Sequence, residues 1–136
     1  MAIKSLDHVN VCTRRVDVLK AFYSEVLGMP AGPRPGFSFN GAWMYAGSRP
    51  AVHLVERLDL EPGGGDLRVQ HFAFSAEGLA DFLARLKAKA VRYRIGIVED
   101  FETCQVNVHD PDGNHIHVDF PLAEARALGV TRGEYE

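Results

Sequence analysis

Four histidines carry the chemistry that this chain offers. His8, His53, His71 and His117 sit inside short apolar-alternating runs: Leu6-Asp7-His8-Val9-Asn10-Val11, Ala51-Val52-His53-Leu54-Val55, Val69-Gln70-His71-Phe72-Ala73-Phe74 and Asn114-His115-Ile116-His117-Val118-Asp119-Phe120. Imidazole is the commonest side-chain ligand of a transition metal. Alternation of this kind marks strands with one face buried. Four imidazoles on four strands can converge on one ion if the strands belong to one curved sheet.

The composition sets limits on everything else. A chain of 136 residues suits one compact domain or two small half-domains sharing a core. With 46% apolar and 24% charged residues it is globular rather than disordered. The formal net charge is -3 and no basic stripe appears, which argues against a nucleic-acid partner. The apolar runs are too short to span a membrane, and the first residues lack the form of a signal peptide. Cys12 and Cys104 are the two cysteines. Two are no disulfide framework, so the expected compartment is a reducing cytoplasm.

The elements that must position the histidines follow from periodicity and turn residues. The first strand is expected over 6–12, with Leu6, His8, Asn10 and Cys12 on one face. A helix follows over about 16–26, its stripe formed by Val18, Leu19, Phe22, Tyr23, Val26 and Leu27, with Thr13 as N-cap and Gly28 as stop. The segment 30–36 holds three prolines and reads as a loop. Strands are expected over 37–39, 42–46 and 51–55, with Asn40-Gly41 turning between the first two and 47–50 making the next turn. The glycine-rich stretch 60–66 reads as a linker. The order then repeats: strand 68–74, helix 79–90, and strands 91–98, 103–108 and 115–120. Asp110-Pro111-Asp112-Gly113-Asn114 makes a tight turn before the last. Residues 123–128 start a helical tail. The sequence thus predicts one domain over 1–136, with a first module over about 1–59, a second over about 67–120, and a tail over 121–136.

Four pieces in this order resemble the vicinal oxygen chelate superfamily, which includes glyoxalase I, type I extradiol dioxygenases and the bleomycin resistance proteins. They are Leu6-Asp7-His8-Val9, Ala21-Phe22-Tyr23-Ser24-Glu25-Val26-Leu27-Gly28-Met29, Val69-Gln70-His71-Phe72-Ala73-Phe74 and Asp110-Pro111-Asp112-Gly113-Asn114-His115-Ile116-His117-Val118. The resemblance implies an α+β fold of two tandem βαβββ modules, forming a curled mixed sheet around a metal-binding cavity. It implies His8, His53, His71 and His117 as ligands of a divalent ion, iron, zinc, nickel, manganese or cobalt. It also implies a homodimer. On each run the histidine sits opposite residues expected to face the helices, such as Val9, Phe72, Ile116 and Val118.

The chain departs from the family where glutamate is usual, at His53 and His117. The family's proton-transfer base is therefore missing from its usual place. Asp119, on the face of His117, and Glu56, near His53 but on the opposite alternation, are the carboxylates that remain as candidates. Cys12 and Cys104 read as small packed hydrophobes. Trp43, Tyr45 and Phe39, with Phe37, form an aromatic group fit to line a substrate pocket, although plain core packing explains Phe37 and Phe39 as well. Trp43 and Tyr45 share a face and hence a fate. Arg94 and Arg92 share a face that can bind a carboxylate, although a solvated sheet edge is the commoner explanation of such a pair. The resulting expectation is a metal-dependent, glyoxalase-like lyase or isomerase. Its small substrate is chelated through two oxygens, with the ion as Lewis acid. The alternatives are an iron(II) ring-cleaving dioxygenase and a metal-free binding or resistance protein. Neither a nucleic-acid nor a membrane partner is expected.

Overall fold

The structure is a computed structural model, and it describes residues 1–2, 5–61 and 69–135. The chain divides into two compact units, 1–62 and 63–136. Most of the expected linker 60–66 and the start of the expected strand 68–74 lie outside the described residues. No helix among the described residues is long and apolar enough to cross a membrane.

The first unit runs β1 (Val9–Thr13), α1 (Val16–Glu25), β2 (Ala31–Gly32), β3 (Gly41–Ala46) and β4 (Arg49–Glu56). Its open sheet has the order β1-β4-β3-β2, with β1 and β4 parallel and the other pairs antiparallel. Helix α1 buries Val16, Leu19, Phe22 and Tyr23, the i, i+3, i+6, i+7 stripe of one helix face. It packs on β3 and β4, whose Ala42, Met44, Val52 and Leu54 are buried. In the β1–β4 register Asn10 lies beside His53 and Cys12 beside Val55, so these residues line the other face.

The second unit repeats the order with β5 (His71–Ser75), α2 (Leu79–Ala88), β6 (Tyr93–Val98), β7 (Thr103–His109) and β8 (His115–Pro121). A short 3₁₀ turn, Glu99–Phe101, separates β6 from β7. Helix α3 (Leu122–Leu128) and strand β9 (Gly133–Tyr135) follow. The open sheet has the order β5-β8-β7-β6-β9, with β5 and β8 parallel. Its apolar face carries Ile95, Cys104, Val106, Val108, Ile116, Val118 and Phe120, all buried, with Phe82 of α2 meeting Phe120 at 5.6 Å between ring centroids. Each unit is thus a βαβββ module with a mixed sheet. The second carries α3 and β9 in addition.

Several local expectations are corrected. Residues 37–39 form no strand, and Asn40-Gly41 turns no hairpin between strands. The partner of β3 is instead Ala31–Gly32, inside the stretch read as a loop. Gly32 makes this workable: a Cβ there would lie 2.7 Å from Tyr45 Cε1, so only a bare Cα lets the Tyr45 ring cover it. The Tyr45 hydroxyl then donates to Pro33 O at 2.5 Å, and the Tyr45 amide to Pro30 O at 2.9 Å. The next turn is only Gly47-Ser48, with Gly47 at φ +63°, and β4 already begins at Arg49. Pro50 is accommodated in β4 because the β3 register shifts between Met44 and Tyr45 opposite it. Thr13 lies before the helix, where its hydroxyl accepts the Arg15 amide at 2.9 Å; Arg15 occupies the cap position.

Candidate functional site

On the second unit, strand register sets the histidines side by side. His71 on β5 pairs with His115 on β8, and His115 with His109 on β7. His117, two residues further along β8, is flanked by Ala73 and Asn107. Register partners share a face, so His71, His115, His117, His109, Asn107 and Asp119 all lie opposite the buried apolar face. The His71 ring is 4.9 Å from His117 and 5.2 Å from His115, centroid to centroid. His109 stacks on His115 at 5.1 Å.

The turn feeding β8 is what holds this register. Asp110 is buried, and its Oδ1 accepts the Asp112 and Asn114 amides at 3.0 and 2.9 Å. Its Oδ2 accepts Asn114 Nδ2 at 2.7 Å. Gly113 takes φ +86°, a conformation that costs a side-chain-bearing residue about 1–2 kcal/mol.

The ring nitrogens show which imidazoles are free to ligate. His117 Nδ1–H donates to Asp119 Oδ1 at 2.6 Å, His71 Nδ1–H to Gln70 Oε1 at 2.6 Å, and His8 Nδ1–H to Asp7 Oδ1 at 2.8 Å. In the neutral ring this leaves the lone pair on Nε2. A metal-binding histidine ordinarily shows this state, with an outer hydrogen bond fixing tautomer and orientation. His53 is the other way round: its Nε2–H donates to Pro50 O at 3.0 Å, leaving Nδ1. His115 resembles His53, its Nε2–H going to Asn107 Oδ1 at 2.8 Å.

On the first unit, His8 and His53 stack with centroids 3.9 Å apart and planes 9° apart. Trp43, the register partner of His53, stacks on the opposite side of the same ring at 4.0 Å and 10°. His53 is thus sandwiched. Burial holds its pKa below the ordinary histidine value, the neighbouring His8 adding to the effect against the Pro50 hydrogen bond and Asp7. Burial likewise lowers His115, with His109, His71, His117 and Arg94 reinforcing it.

The remaining candidates are placed less alike than the sequence implied. Trp43 meets His53, whereas the hydroxyl of Tyr45 is tied to Pro33, so the expected common fate does not hold. Phe39 stacks on Phe37 at 4.7 Å under the Arg34 guanidinium, and both rings are exposed. Glu56 lies opposite Thr13 in register, off the His53 face, and its Oε2 accepts Asn40 Nδ2 at 3.1 Å. Asp119 is on the His117 face but its Oδ1 is committed to His117 Nδ1. Arg94 is on the polar face of the second sheet, beside Asn107. Among the described residues, no group of three or more His, Cys, Asp or Glu side chains is gathered as a metal site; the histidines come together as the pairs above.

Sequence reasoning passed over Asp7 and Gln70. Simple alternation sends a residue next to histidine to the other face. Both, however, precede their strands, which begin at Val9 and His71, so the backbone there is not held in the pleat.

Comparison with known proteins agrees with this architecture. A sequence profile of the Glyoxalase/Bleomycin resistance protein/Dioxygenase superfamily matches residues 5–118. A protein of Arabidopsis thaliana, Glyoxylase I 4, is 31% identical over 124 residues, covering 85% of this chain and 70% of that protein. The crystal structure of a Bacillus anthracis protein assigned to the glyoxalase family superposes with a TM-score of 0.73 at 23% identity, covering 89% of this chain and 98% of that one. The lactoylglutathione lyase of Agrobacterium tumefaciens superposes with a TM-score of 0.65 at 20% identity, over 88% and 96% of the two chains. The chain belongs to the Glyoxalase/Bleomycin resistance protein/Dioxygenase superfamily, the family of the vicinal oxygen chelate fold.

Proposed function

We propose that this protein is a metal-dependent lyase or isomerase of the glyoxalase type, acting on a small substrate bound through two neighbouring oxygens. The observation that carries the reading is the shared arrangement of His8, His71 and His117, each with Nδ1 held by an adjacent side-chain oxygen, which in the neutral ring turns the Nε2 lone pair to a ligand role. This donor set fits a divalent transition ion, with His53 as the fourth ligand through Nδ1. A divalent ion so held supplies Lewis acidity that stabilises negative charge developing on the substrate oxygens. Asp7, Gln70 and Asp119 hold the protons at Nδ1 and aim the rings. Trp43 and His8 keep the His53 ring from rotating. The Arabidopsis relative and the lyase of matching fold bear names of this activity class, which supports the choice.

A ring-cleaving iron enzyme calls for a carboxylate ligand beside two histidines. Asp7 and Asp119 are the carboxylates in contact with these histidines, and each is already engaged at Nδ1, of His8 and of His117; Glu56 is engaged by Asn40. The geometry therefore favours the lyase or isomerase reading. We also place the protein in a reducing compartment, because Cys12 and Cys104 are both free thiols.

Elemental analysis of the purified protein tests the reading. About one equivalent of a divalent transition metal per chain is expected, lost in His71→Ala with the melting temperature retained. Asp119→Asn, which unsettles the His117 tautomer, should weaken metal affinity by about 10- to 100-fold. A protein that takes up no ion after incubation with iron, zinc, nickel, manganese and cobalt is instead a binding or resistance protein.

A further inference from the structure

The polar face of the second sheet continues past the histidines to a cavity of about 330 Å³ at β6 and β9, a volume at the small end of ligand sites. Its floor is Gly96 and Val98 of β6 with Gln105 of β7, and its sides carry Arg94, Arg132 and Glu134. The space exists because position 96 lacks a side chain. A Cβ there would point at Gln105 Oε1 from 3.4 Å and at Asn107 Nδ2 from 3.8 Å, into the cavity.

The two arginines give the cavity its character. Arg132 Nη2 donates to Ile97 O at 2.7 Å, which anchors that guanidinium beside β6 and leaves its other N–H groups available. Among the described residues no carboxylate lies within ion-pair distance of Arg94. Glu134 is its register partner across β6 and β9, so two guanidiniums stand against one carboxylate. Planar guanidinium forks match the oxygens of a carboxylate or phosphoryl group, and the Gln105 amide adds a neutral donor.

We propose that this cavity binds the anionic terminus of the substrate, a carboxylate or phosphoryl group. His117, Asn107 and Arg94 are successive register partners on β8, β7 and β6, so Arg94 lies about 10 Å from His117, two strand spacings. The substrate is then a short bifunctional molecule, with two neighbouring oxygens at one end and an anion at the other. The bifunctional part rests on the chelation reading above; the anion site does not.

The test starts from chelator-stripped protein, titrated with glutarate and separately with inorganic phosphate while backbone amide resonances are followed. Saturable shifts centred on Gly96, Gln105 and Gly133 are expected with at least one of the two anions, and which of them binds more tightly identifies the terminus. Arg94→Met and Arg132→Met should each weaken binding by about tenfold or more, the effect of one charge-assisted hydrogen bond. Glu134→Gln should tighten it. Absence of saturation with both anions, or shifts indifferent to Arg94→Met, overturns the site. Metal-loaded protein should then bind 2-oxoglutarate more tightly than 2-oxopentanoate, and Arg94→Met should erase the difference. Equal affinity for the two oxo acids overturns the substrate class. Anion binding by a protein that takes up no metal would leave the subsite standing and remove only the chelation reading.

Discussion

A histidine can ligate through either nitrogen, so a neighbouring oxygen that captures one of them decides which is left. His8, His71 and His117 resolve that choice the same way, each with a partner one or two residues off in sequence. A local partner costs little chain entropy to bring into place. Cys104 shows the opposite use of environment. It is fully buried on the helix-facing side of the second sheet, and burial raises its thiol above the ordinary value of 9.0. Because the folded-state value is the higher one, the unfolded chain gives up its proton first. The contribution to stability is therefore intact below about pH 9 and declines as pH rises beyond it. Thermal melts between pH 7 and 11 should show this decline, and Cys104→Val should flatten it. Iodoacetamide should label only the partly exposed Cys12 in folded protein and both cysteines in denaturant. Rapid labelling of Cys104 in the folded state would contradict the burial argument.

The elements were legible wherever periodicity was strong. Helix α1 shows its i, i+3, i+4 stripe in the sequence, and the Asp110-to-Asn114 turn announces β8. What was hidden depends on partners distant in sequence. Ala31–Gly32 is a strand only because β3 lies beside it and Tyr45 covers it; nothing within 30–36 encodes that. Strand β9 is defined by its pairing with β6 and by Tyr135 stacking on Tyr93 at 5.1 Å, forty-two residues away in the numbering. Alternation put His53 on the face of the first sheet away from α1, and His71 and His117 together on the polar face of the second, but it did not find the side chains that hold the rings. A second long-range device joins the helices of the second unit. Glu124 of α3 accepts the Gly78 and Leu79 amides at 3.1 and 3.0 Å, capping the N-terminus of α2 where no local side chain does so. Glu124→Ala should lower stability by about 1 kcal/mol, as loss of an N-cap does, and Glu124→Gln by less. Urea denaturation of the three proteins measures this, and an unchanged midpoint for Glu124→Ala would remove the cap from the account.

At the scale of the whole molecule, each sheet is open. The first ends on β1 and β2, the second on β5 and β9. An open edge presents unpaired backbone donors and acceptors, which proteins shorten, charge or cover. Here β2 is two residues long and β9 three, but β1 and β5 each run to five. Neither of these longer edge strands carries proline or lysine. Apolar side chains are exposed as well, Leu6 at 77%, Val69 at 71% and Phe101 at 81%. Leu6 and Val69 stand just ahead of β1 and β5. Surface of this kind is commonly covered by a second copy of the chain, and closed two-fold pairing is the usual form of such assembly. The expected state is therefore a homodimer with an isologous interface that includes these residues. Sedimentation velocity at micromolar concentration should give about twice the 15.0 kDa chain mass. Val69→Lys combined with Leu6→Lys should shift the equilibrium toward monomer, because each buries a charge in a pairing that meets itself. A wild-type monomer at that concentration, or a dimer untouched by both charges, would place the assembly surface elsewhere or remove it. The anion cavity at β6 and β9 is built within one unit, so glutarate binding should persist in the double variant even if the dimer is lost.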